Sequence, residues 1–560
     1  MPSYDKSSPV LHLAASSDFR IAALEGNPDG ETIWASHIIT YSFPGNQAHF
    51  DGGLNYGHGE VSAGWFPLSA QQQLAVRHAL DAWSAVAQVT FVEVPDGLTV
   101  GDLRFAFSSA VSGTRLGQAY QPSDQALAGD VWLNATTASQ NFERQRTGDE
   151  TGARNFLTLL HEIGHAIGLS HPFAKDGETR GTAPLLATDD TLEHSIMSYA
   201  MDVGGYNANP STPMPYDILA IQSLYGANMA THAHDDVYAI PYDLDLWQPD
   251  RAMNDFHFLT LWDAGGNDTL AAVREAADPR YDPRPLQPVA IDLREGHGSS
   301  IGYINALAEF APWFQDGQLQ RGLYPSIFIP YGTVIENAIG GDSIYGDQII
   351  GNDANNRIVG GGGADHIDGQ GGTDTSAYEG FSYNFKILRT AGNITVQDLL
   401  HPNTKPNTPP NMDTLVNIER LEFQDQNLAF DVDGAAGKAY RLYQAAFDRA
   451  PDAVGLGFWI AQLDHGMALQ TVATAFVASQ EFQAIETAAA GSNARLVTQL
   501  YANILHRAPD PGGFAFWTGL LDAQKVNIDL VLMTFSESPE NQGQLASIIG
   551  NGMAYMPYVV

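Results

Sequence analysis

Two apolar stripes at helical spacing predict the longest helices in the first part of this chain. From Gln71 to Val86, apolar residues recur every three or four positions, which is typical of a helix with one buried face. From Asn155 to Leu169, apolar residues nearly surround the axis, as expected of a buried central helix. The stripe of the first helix consists of Ala75, Val76, Ala79, Leu80, Trp83 and Val86.

Four short segments around these helices are expected to form strands. They lie at residues 39–43, 90–94, 103–107 and 130–134. Because strands and helices are interspersed here, we expect a mixed α+β domain in this part of the chain.

A histidine-rich segment ends the second helix. It matches every fixed position of the pattern H-E-x-x-H-x-x-G-x-x-H with His161, Glu162, His165, Gly168 and His171. Residues four apart on a helix share a face, so the first two histidines can direct their imidazoles at one metal ion. The glycine can take the left-handed conformation that ends a helix and turns the chain towards the third histidine. Three imidazoles leave a fourth position on zinc open to water, which is typical of a catalytic site.

Glu162 lies where it can reach this water without binding the metal. The competing interpretation is a pair of helix-face histidines that flank a glutamate by chance, because the bare five-residue pattern is short. Gly168 and His171 at their fixed places favour the zinc site.

Residues 195–199, Ser-Ile-Met-Ser-Tyr, extend the pattern, and with them the chain resembles the serralysin branch of the metzincins, secreted bacterial zinc endopeptidases. The resemblance implies that Met197 forms a turn under the zinc and that Tyr199 is an additional, displaceable zinc ligand. Taken alone, both residues would be ordinary packing residues. The resemblance also implies that residues 116–120 form the sheet edge that pairs with an extended substrate. Residues 216–226 resemble the helix that closes the catalytic domain.

The charge balance and the absence of cysteine limit the function classes. The chain has 560 residues, with 27 Lys and Arg against 64 Asp and Glu. A net charge of −37 argues against nucleic acid and anionic membranes as partners and suits a protein that takes up cations. Disulfides cannot stabilise a chain without cysteine, and no apolar run approaches a membrane span. The first residues lack the charged-then-apolar pattern of a secretory signal.

Residues 340–376 are rich in Gly, Asp and Asn at a nine-residue period. Residues 360–368 fit the calcium-binding repeat G-G-x-G-x-D-x-U-x in full, whereas residues 351–359 carry Asn356 in the aspartate position. Ca²⁺ would collect hard oxygens between stacked turns, and Ile358 and Ile367 would form the inner core of a parallel β-roll. The alternative is a flexible Gly- and Asp-rich linker. The periodic isoleucines favour the roll, and its degenerate units predict few calcium ions.

The expected calcium ligands lie in these repeats and in two loops that resemble the calcium-binding flanks of serralysins. They are Asp263, Gly265, Asp268, Glu336, Gly360, Gly361, Gly363, Asp365, Gly369, Gly371 and Asp374. The partner loop corresponds to residues 232–236, where histidines replace the arginine and glycine of the family. The family's ligands in this loop are backbone carbonyls.

An internal repeat occupies the C-terminal part, and its residues recur 58 positions later, as from Tyr443 to Tyr501. The repeat resembles a tandem helical domain of unknown function that occurs in bacterial exoproteins. We expect two helical units, each with a Pro-Asp helix start, packed on each other through Trp459 and Trp517. The last residues, 556–560, resemble the apolar C-terminal signal read by a one-step exporter.

Together these patterns predict a multidomain α+β protein. We expect a propeptide-like segment at residues 1–30 and a metzincin catalytic domain at residues 31–228. A calcium-binding domain with a parallel β-roll and β-sandwich would follow at residues 229–436. An all-α repeat domain that ends in the secretion signal would occupy residues 437–560.

The predicted function is that of a secreted, extracellular zinc- and calcium-dependent metalloendopeptidase of a Gram-negative bacterium. One catalytic zinc would be held by His161, His165, His171 and the displaceable Tyr199, with Glu162 as general base, and several Ca²⁺ ions would be structural. Expected partners are protein or peptide substrates, the type I secretion machinery and a proteinaceous inhibitor. The alternative is a calcium-folded surface-layer or adhesin-type protein, attached to cells through its C-terminal repeats, with vestigial or narrow processing protease activity.

Overall fold

The computed structural model describes residues 9–25, 32–50, 56, 59–97, 99–142, 150–173, 184–200, 209–241, 259–274, 288–301, 326–343, 346–390, 392–401, 411–489 and 491–558. The chain divides into two compact units, Met1–Ser343 and Ile344–Val560. The units are described one at a time below.

The first unit contains four described helices and fifteen described strands. The helices are α1 (Phe19–Glu25), α2 (Ala70–Val86), α3 (Glu150–Ala166) and α4 (Pro215–Tyr225). The strands are β1 (Val10–His12), β2 (Thr32–Trp34), β3 (Ile38–Ser42), β4 (Trp65–Phe66), β5 (Thr90–Glu93), β6 (Leu103–Ser108), β7 (Gly117–Ala119), β8 (Asp130–Asn134), β9 (Val237–Pro241), β10 (Leu259–Thr260), β11 (Thr269–Val273), β12 (Ala290–Asp292), β13 (Gly298–Ser299), β14 (Ile327–Phe328) and β15 (Asn337–Ile339).

A twisted sheet of order β5-β3-β6-β8-β7 forms the framework of the site. Its first four strands run parallel, whereas β7 pairs antiparallel with β8 and lies at the sheet edge. The predicted strands and the edge position of residues 116–120 are therefore confirmed. Among the described residues, β7 pairs with a strand on one side only, so its other side is an edge to which a further strand could be added.

Helices α2 and α3 pack together and form the core with this sheet. A capping box starts α2, in which Ser69 and Gln72 exchange side-chain to backbone hydrogen bonds. The Trp83 indole is fully buried and donates to the Leu160 carbonyl on α3 at 3.1 Å. All six residues of the predicted apolar stripe on α2 are buried, so the expected amphipathic helix is confirmed.

The second unit contains eight described helices and ten described strands. The strands are β16 (Gln348–Ile350), β17 (Arg357–Val359), β18 (His366–Asp368), β19 (Thr375–Ala377), β20 (Phe385–Arg389), β21 (Asn393–Asp398), β22 (Met412–Val416), β23 (Arg420–Glu422), β24 (Asn427–Ala429) and β25 (Met553–Tyr555). The helices are α5 (Ala435–Phe447), α6 (Ala453–Asp464), α7 (Leu469–Val477), α8 (Gln480–Ala488), α9 (Asn493–Leu505), α10 (Pro511–Asp522), α11 (Ile528–Ser536) and α12 (Pro539–Ile549).

The Gly- and Asp-rich repeats coil between two sheets. Strands β16 and β18 pair in parallel in one sheet, and β17 and β19 pair in parallel in the other. In both pairs the partner of a residue lies 18 positions along the chain, as Gln348 opposite His366, so two nine-residue repeats complete one turn. Ile358 and Ile367 are fully buried, as predicted, and line the space between the sheets with Ile349. This coil is not a structureless linker.

The eight helices form two four-helix repeats, α5–α8 and α9–α12. Asp452 and Asp510 cap α6 and α10 by accepting from the backbone of Gly455 and Gly513, each at 2.8 Å, so the predicted Pro-Asp starts are confirmed. The two units were expected to pack on each other through their tryptophans, but the ring contacts of the tryptophans lie within each repeat. Each packs on a phenylalanine of its own repeat, Trp459 on Phe476 and Trp517 on Phe535, with ring centroids 4.9 and 5.5 Å apart. Both join one apolar cluster that spans the two repeats.

The chain returns to a sheet after the last helix. Strand β25 pairs antiparallel with β24, with Ala429 opposite Met553. In the sequence, both helical repeats therefore lie between two strands that are neighbours in one sheet. Of the predicted exporter signal, residues 559–560 lie outside the described residues, as do residues 1–8 and 26–30 of the propeptide-like segment. Among the described residues, no helix has the length and apolar character to cross a membrane. The bounds of the four predicted segments remain predictions.

Two bidentate ion pairs of the first unit allow a matched stability test. Arg104 pairs with Asp96 at 2.9 Å with both side chains buried, whereas Arg77 pairs with Glu93 at 2.8 Å with both partly exposed. We expect Arg104→Ala to lower the free energy of unfolding by about 3–5 kcal/mol, because a buried carboxylate loses its partner. Arg77→Ala should cost about 0–1 kcal/mol. Urea unfolding followed by tryptophan fluorescence measures both, and equal losses would contradict the assignment.

Candidate metal centres

Helix α3 and the turn after it bring three imidazoles together. His161 and His165 lie one turn apart on α3, and Gly168 has a φ of +121°, the positive value that the predicted turn requires. The Nε2 atom of His171 lies 3.2 Å from Nε2 of His161 and 3.1 Å from Nε2 of His165. The sequence-predicted zinc ligands therefore converge on one point.

The opposite ring nitrogens are held by backbone carbonyls. Nδ1 of His161 lies 2.7 Å from the carbonyl oxygen of Ile196, and Nδ1 of His165 lies 2.7 Å from that of Leu169. Since a carbonyl only accepts, each Nδ1 carries the hydrogen and each Nε2 presents a lone pair. Burial lowers the pKa of His161 to about 4, which keeps the ring neutral. Neutral imidazoles oriented by such contacts fit a zinc ion.

Glu162 supplies a buried carboxylate beside the histidines. Its Oε2 atom has no hydrogen-bond partner among the described residues. Burial raises the pKa of Glu162 to about 8, and the positive charge of Arg115 acts in the opposite direction. Gly117 on the edge strand β7 lies so close that any side chain there would overlap the Glu162 carboxylate. The edge strand thus passes directly beside the expected base.

Met197 and Tyr199 lie close to the helix and histidines of the metal site. The hydroxyl of Tyr199 lies 2.8 Å from Nε2 of His171, while 63% of the residue is exposed. Its ring also lies against Phe173, with centroids 4.9 Å apart. Met197 is fully buried, with its sulfur against Gly164 on the metal-site helix. The tyrosine is thus within reach of the ligand atoms and is also open to solvent.

Asp217 on α4 was not predicted, although it organises the methionine turn. Its carboxylate accepts from the Ser195 hydroxyl at 2.6 Å, from the amide of Ile196 at 2.8 Å and from the amide of Met214 at 2.9 Å. Burial raises the pKa of Asp217 to about 7, and these hydrogen bonds act in the opposite direction. The signal in the sequence was a lone acidic residue in a helix that is otherwise almost entirely apolar.

A first cluster of carboxylates lies in the flanking loops predicted to bind calcium. One oxygen each of Asp236, Asp263 and Asp268 lies within 4.8 Å of the others. Asp268 is buried, and its Oδ2 atom has no partner among the described residues. Glu336 accepts from the backbone amide of Asp268 at 2.8 Å, and Gly265 has a φ of +140°. Asp236 was missed because the family's loop pointed to carbonyls rather than a carboxylate.

A second set of carboxylates follows the coils of the second unit. Asp365 accepts from the amide of Asp347 at 2.8 Å, and Asp374 accepts from the amide of Asn356 at 2.7 Å, 18 positions earlier in each case. The second oxygens of Asp365 and Asp374 are buried without a partner among the described residues. Burial and the neighbouring Asp413 hold the pKa of Asp365 well above its ordinary value. Buried, unsatisfied oxygens next to other carboxylates fit a Ca²⁺ ion.

The glycines of the repeats leave room for these oxygens. A side chain at Gly360 would overlap Oδ2 of Asp365, and one at Gly369 would overlap Oδ2 of Asp374. Gly361 and Gly363 have φ values of +93° and +113°, which other residues rarely adopt. Gly371 likewise lies against a carboxylate, that of Asp353. Of the predicted repeat ligands, Gly360 and Gly369 therefore lie directly against the two aspartates.

Comparison with known proteins agrees with this geometry. Residues 67–177 match the matrixin family, and residues 438–486 and 473–545 match a domain of unknown function, DUF4214. The chain is 33% identical to serralysin G of Dickeya chrysanthemi over 346 residues, covering 59% of this chain and 62% of the relative. It is 30% identical to serralysin of Proteus mirabilis over 340 residues, covering 57% and 60%. It is 34% identical to metallopeptidase AprA of Pseudomonas marginalis over 320 residues, covering 53% and 57%.

The chain thus spans about 60% of the length of the curated relatives it matches. These similarities confirm the predicted resemblance to serralysin-type metzincins and to a tandem domain of unknown function.

The contacts of Asp217 generate a prediction about metal affinity. Asp217→Ala leaves the amide of Ile196 without its acceptor, and the carbonyl of the same residue orients His161. We expect zinc affinity to fall about 10- to 100-fold, the usual effect of removing an outer contact of a metal ligand. Competition with a chromogenic zinc chelator measures the change. Asp217→Asn, which keeps one acceptor oxygen, should show a smaller loss, and an unchanged affinity in Asp217→Ala would refute the role.

Proposed function

We propose that this protein is a zinc-dependent metalloendopeptidase that hydrolyses peptide bonds of extracellular proteins. The carrying observation is the convergence of three imidazole Nε2 atoms beside Glu162, whose Oε2 has no partner among the described residues. Similarity to matrixin and to the serralysins supports the same activity.

Each residue of the site has a separate role in hydrolysis. Zinc bound by His161, His165 and His171 would supply a Lewis acid that polarises a water molecule and the scissile carbonyl. Glu162 accepts the proton of the attacking water at Oε2 and passes it to the leaving amine. The Tyr199 hydroxyl moves away from His171 and donates a hydrogen bond to the oxyanion that develops on the scissile carbonyl of the substrate. Its exposed position leaves it room for this movement.

The substrate binds along the free edge of β7. An extended peptide added there continues the antiparallel pairing of β7 with β8, and backbone hydrogen bonds give affinity without reading most side chains. Because Gly117 lies against Glu162, a peptide on this edge places its own backbone next to the base. This arrangement favours cleavage within extended or unfolded segments of proteins.

In the proposed function, the protein needs Ca²⁺ in order to fold. The carboxylates of Asp268, Asp365 and Asp374 lie close to other acidic groups, and their repulsion opposes folding until Ca²⁺ binds. Millimolar extracellular Ca²⁺ would fill such sites, which supports a type I secreted protein that folds outside a Gram-negative cell. In this proposal the coils of the second unit are the calcium-binding β-roll, and the eight helices form an all-α repeat domain.

A vestigial protease on an adhesin-type or surface-layer protein is the weaker candidate. Loss of catalysis would leave the orientation of the imidazoles and the buried Glu162 without a purpose. The carbonyl contacts to the two Nδ1 atoms and the hydrogen bonds of Asp217 favour a working catalytic site.

Substitution of the base should separate chemistry from metal binding. We expect Glu162→Ala to keep one zinc ion per chain while cleavage of casein or gelatin falls at least about 10²-fold, because general-base catalysis is lost. Atomic absorption gives the zinc content, and release of labelled fragments gives the rate. Retained cleavage would overturn the mechanism.

A variant of Tyr199 tests the proposed hydrogen bond to the oxyanion. Tyr199→Phe keeps the ring contact with Phe173 and removes only the hydroxyl, so it should lower kcat with little effect on zinc content. Inhibition of the parent protein by phenanthroline and recovery with added zinc complete the control.

Loss of one carboxylate should weaken calcium-dependent folding. We expect Asp365→Asn to raise the Ca²⁺ concentration at half-maximal folding about tenfold or more, because the substitution removes the charge of a carboxylate whose Oδ2 has no partner among the described residues. Circular dichroism during calcium titration measures the midpoint. Asp433→Asn, at an exposed aspartate outside the coils, is the control and should leave it unchanged. Equal midpoints for the two variants would contradict a calcium site at Asp365.

A further inference from the structure

Arg115 lies at the start of the edge strand along which the proposed substrate binds. Its backbone carbonyl accepts a hydrogen bond from Nδ2 of Asn134 at 2.8 Å, and the carbonyl of the next residue, Leu116, accepts from the amide of Asn134 at 3.0 Å. Asn134 is the last residue of β8, so these two contacts fix the start of β7 against its neighbour in the sheet. The backbone of Arg115 is therefore held at the sheet edge, while its side chain is exposed to solvent.

The guanidinium of Arg115 has no acidic partner among the described residues. Its Nη1 atom donates to the amide oxygen of Gln118 on β7 at 2.8 Å. Since a guanidinium carries five N–H donors, this contact leaves most of them for another acceptor. Four other described arginines of the first unit each pair with a carboxylate, namely Arg20, Arg77, Arg104 and Arg294. Arg115 thus keeps an uncompensated positive charge in a chain with 64 acidic and 27 basic residues.

The charge of Arg115 acts on the two groups proposed for catalysis. Burial raises the pKa of Glu162 to about 8, and burial together with the charge of Glu162 raises the pKa of Tyr199 to about 12. The positive charge of Arg115 acts in the opposite direction on both groups. Because the interaction between charges weakens with distance and with screening by salt, the guanidinium lies near enough to act on a substrate bound beside these groups.

The direction of β7 determines which part of the substrate lies near Arg115. An extended peptide that pairs antiparallel with β7 runs from the end of this strand towards its start. The peptide bond beside Glu162 lies next to Gly117, and Arg115 precedes Gly117 by two positions, about 7 Å along an extended chain. Substrate residues that follow the cleaved bond therefore lie towards Arg115, and those that precede it lie towards Tyr120.

We propose that Arg115 binds an acidic side chain of the substrate, within about three residues on the carboxyl side of the cleaved bond. This inference rests on the proposed peptidase function and names the class of peptide that the same site prefers. The planar guanidinium can bind a carboxylate through two parallel hydrogen bonds. A basic side chain at the same position is repelled.

The test compares peptides that differ in one residue. Casein cut by the parent protein supplies the starting sequence, and mass spectrometry locates the cleaved bond. Glu, or its uncharged counterpart Gln, is placed in turn at each of the positions that follow this bond. The peptides contain no other acidic residue, extend well beyond the bond and end in an amide, so that a side-chain carboxylate is distinguished from a C-terminal one.

The ratio of kcat/KM between the Glu and Gln peptides measures the preference. For the parent, we expect this ratio to be roughly 3 to 5 at one of these positions, in the upper range of an exposed ion pair. In Arg115→Gln the ratio should fall to about one, and in Arg115→Glu it should fall below one, with Lys preferred instead. Arg115→Lys keeps the charge and should keep part of the preference. A general effect of these variants on Glu162 cancels in the ratio, because both peptides meet the same base.

Arg77→Gln is the matched control, because Arg77 pairs with Glu93 of β5 at the opposite edge of the same sheet. It should keep the ratio of the parent. Circular dichroism and zinc content verify that each variant is folded and loaded. Equal cleavage of the Glu and Gln peptides by the parent at every position, or a preference that survives Arg115→Gln, overturns the inference and leaves the proposed function standing. Failure of the parent to cut casein or any peptide overturns the proposed function and this inference with it.

Discussion

An imidazole binds a metal only through a nitrogen that carries no hydrogen, and this requirement shapes the first unit. In His161 and His165 the hydrogen is held on Nδ1 by a carbonyl, one from the methionine turn and one from the end of the helix itself. The methionine turn is in turn held by Asp217, whose three hydrogen bonds close the network. The precise direction of the lone pairs therefore depends on contacts with residues far along the sequence.

In the second unit, the main electrostatic constraint is repulsion between neighbouring carboxylates. In its coils, Asp365 and Asp374 each accept an amide hydrogen bond from the turn before through one oxygen, while the second oxygen has no partner among the described residues. The same spacing that stacks the strands thus stacks negative charge. A bound divalent cation would convert this repulsion into attraction, which makes the stability of the coils a property of the ion concentration as well as of the sequence.

The residues of the zinc site could be read from the sequence because helix geometry and one glycine fix their relative places within eleven positions. Helices α2 and α3 were likewise predictable from their apolar periodicity, whereas the strands of the sheet were predicted through the resemblance to the serralysins. Asp217 and Asp236 were not, because their roles arise from contacts that local spacing does not reveal. The 58-residue period identified two equivalent units, but equivalence does not say which surfaces meet. Each tryptophan contacts a phenylalanine of its own repeat, and both belong to the apolar cluster that spans the two repeats.

The pairing of β24 with β25 has a consequence for the order of folding. These neighbours in the sheet are separated in sequence by both helical repeats, so their contact is among the least local in the unit. Bringing such distant ends together costs chain entropy, and that cost is reduced once the helices have formed and hold their termini close. The sheet should therefore acquire its last strand late, after the helices, and a chain arrested before that step would display a bare β24 edge open to aggregation.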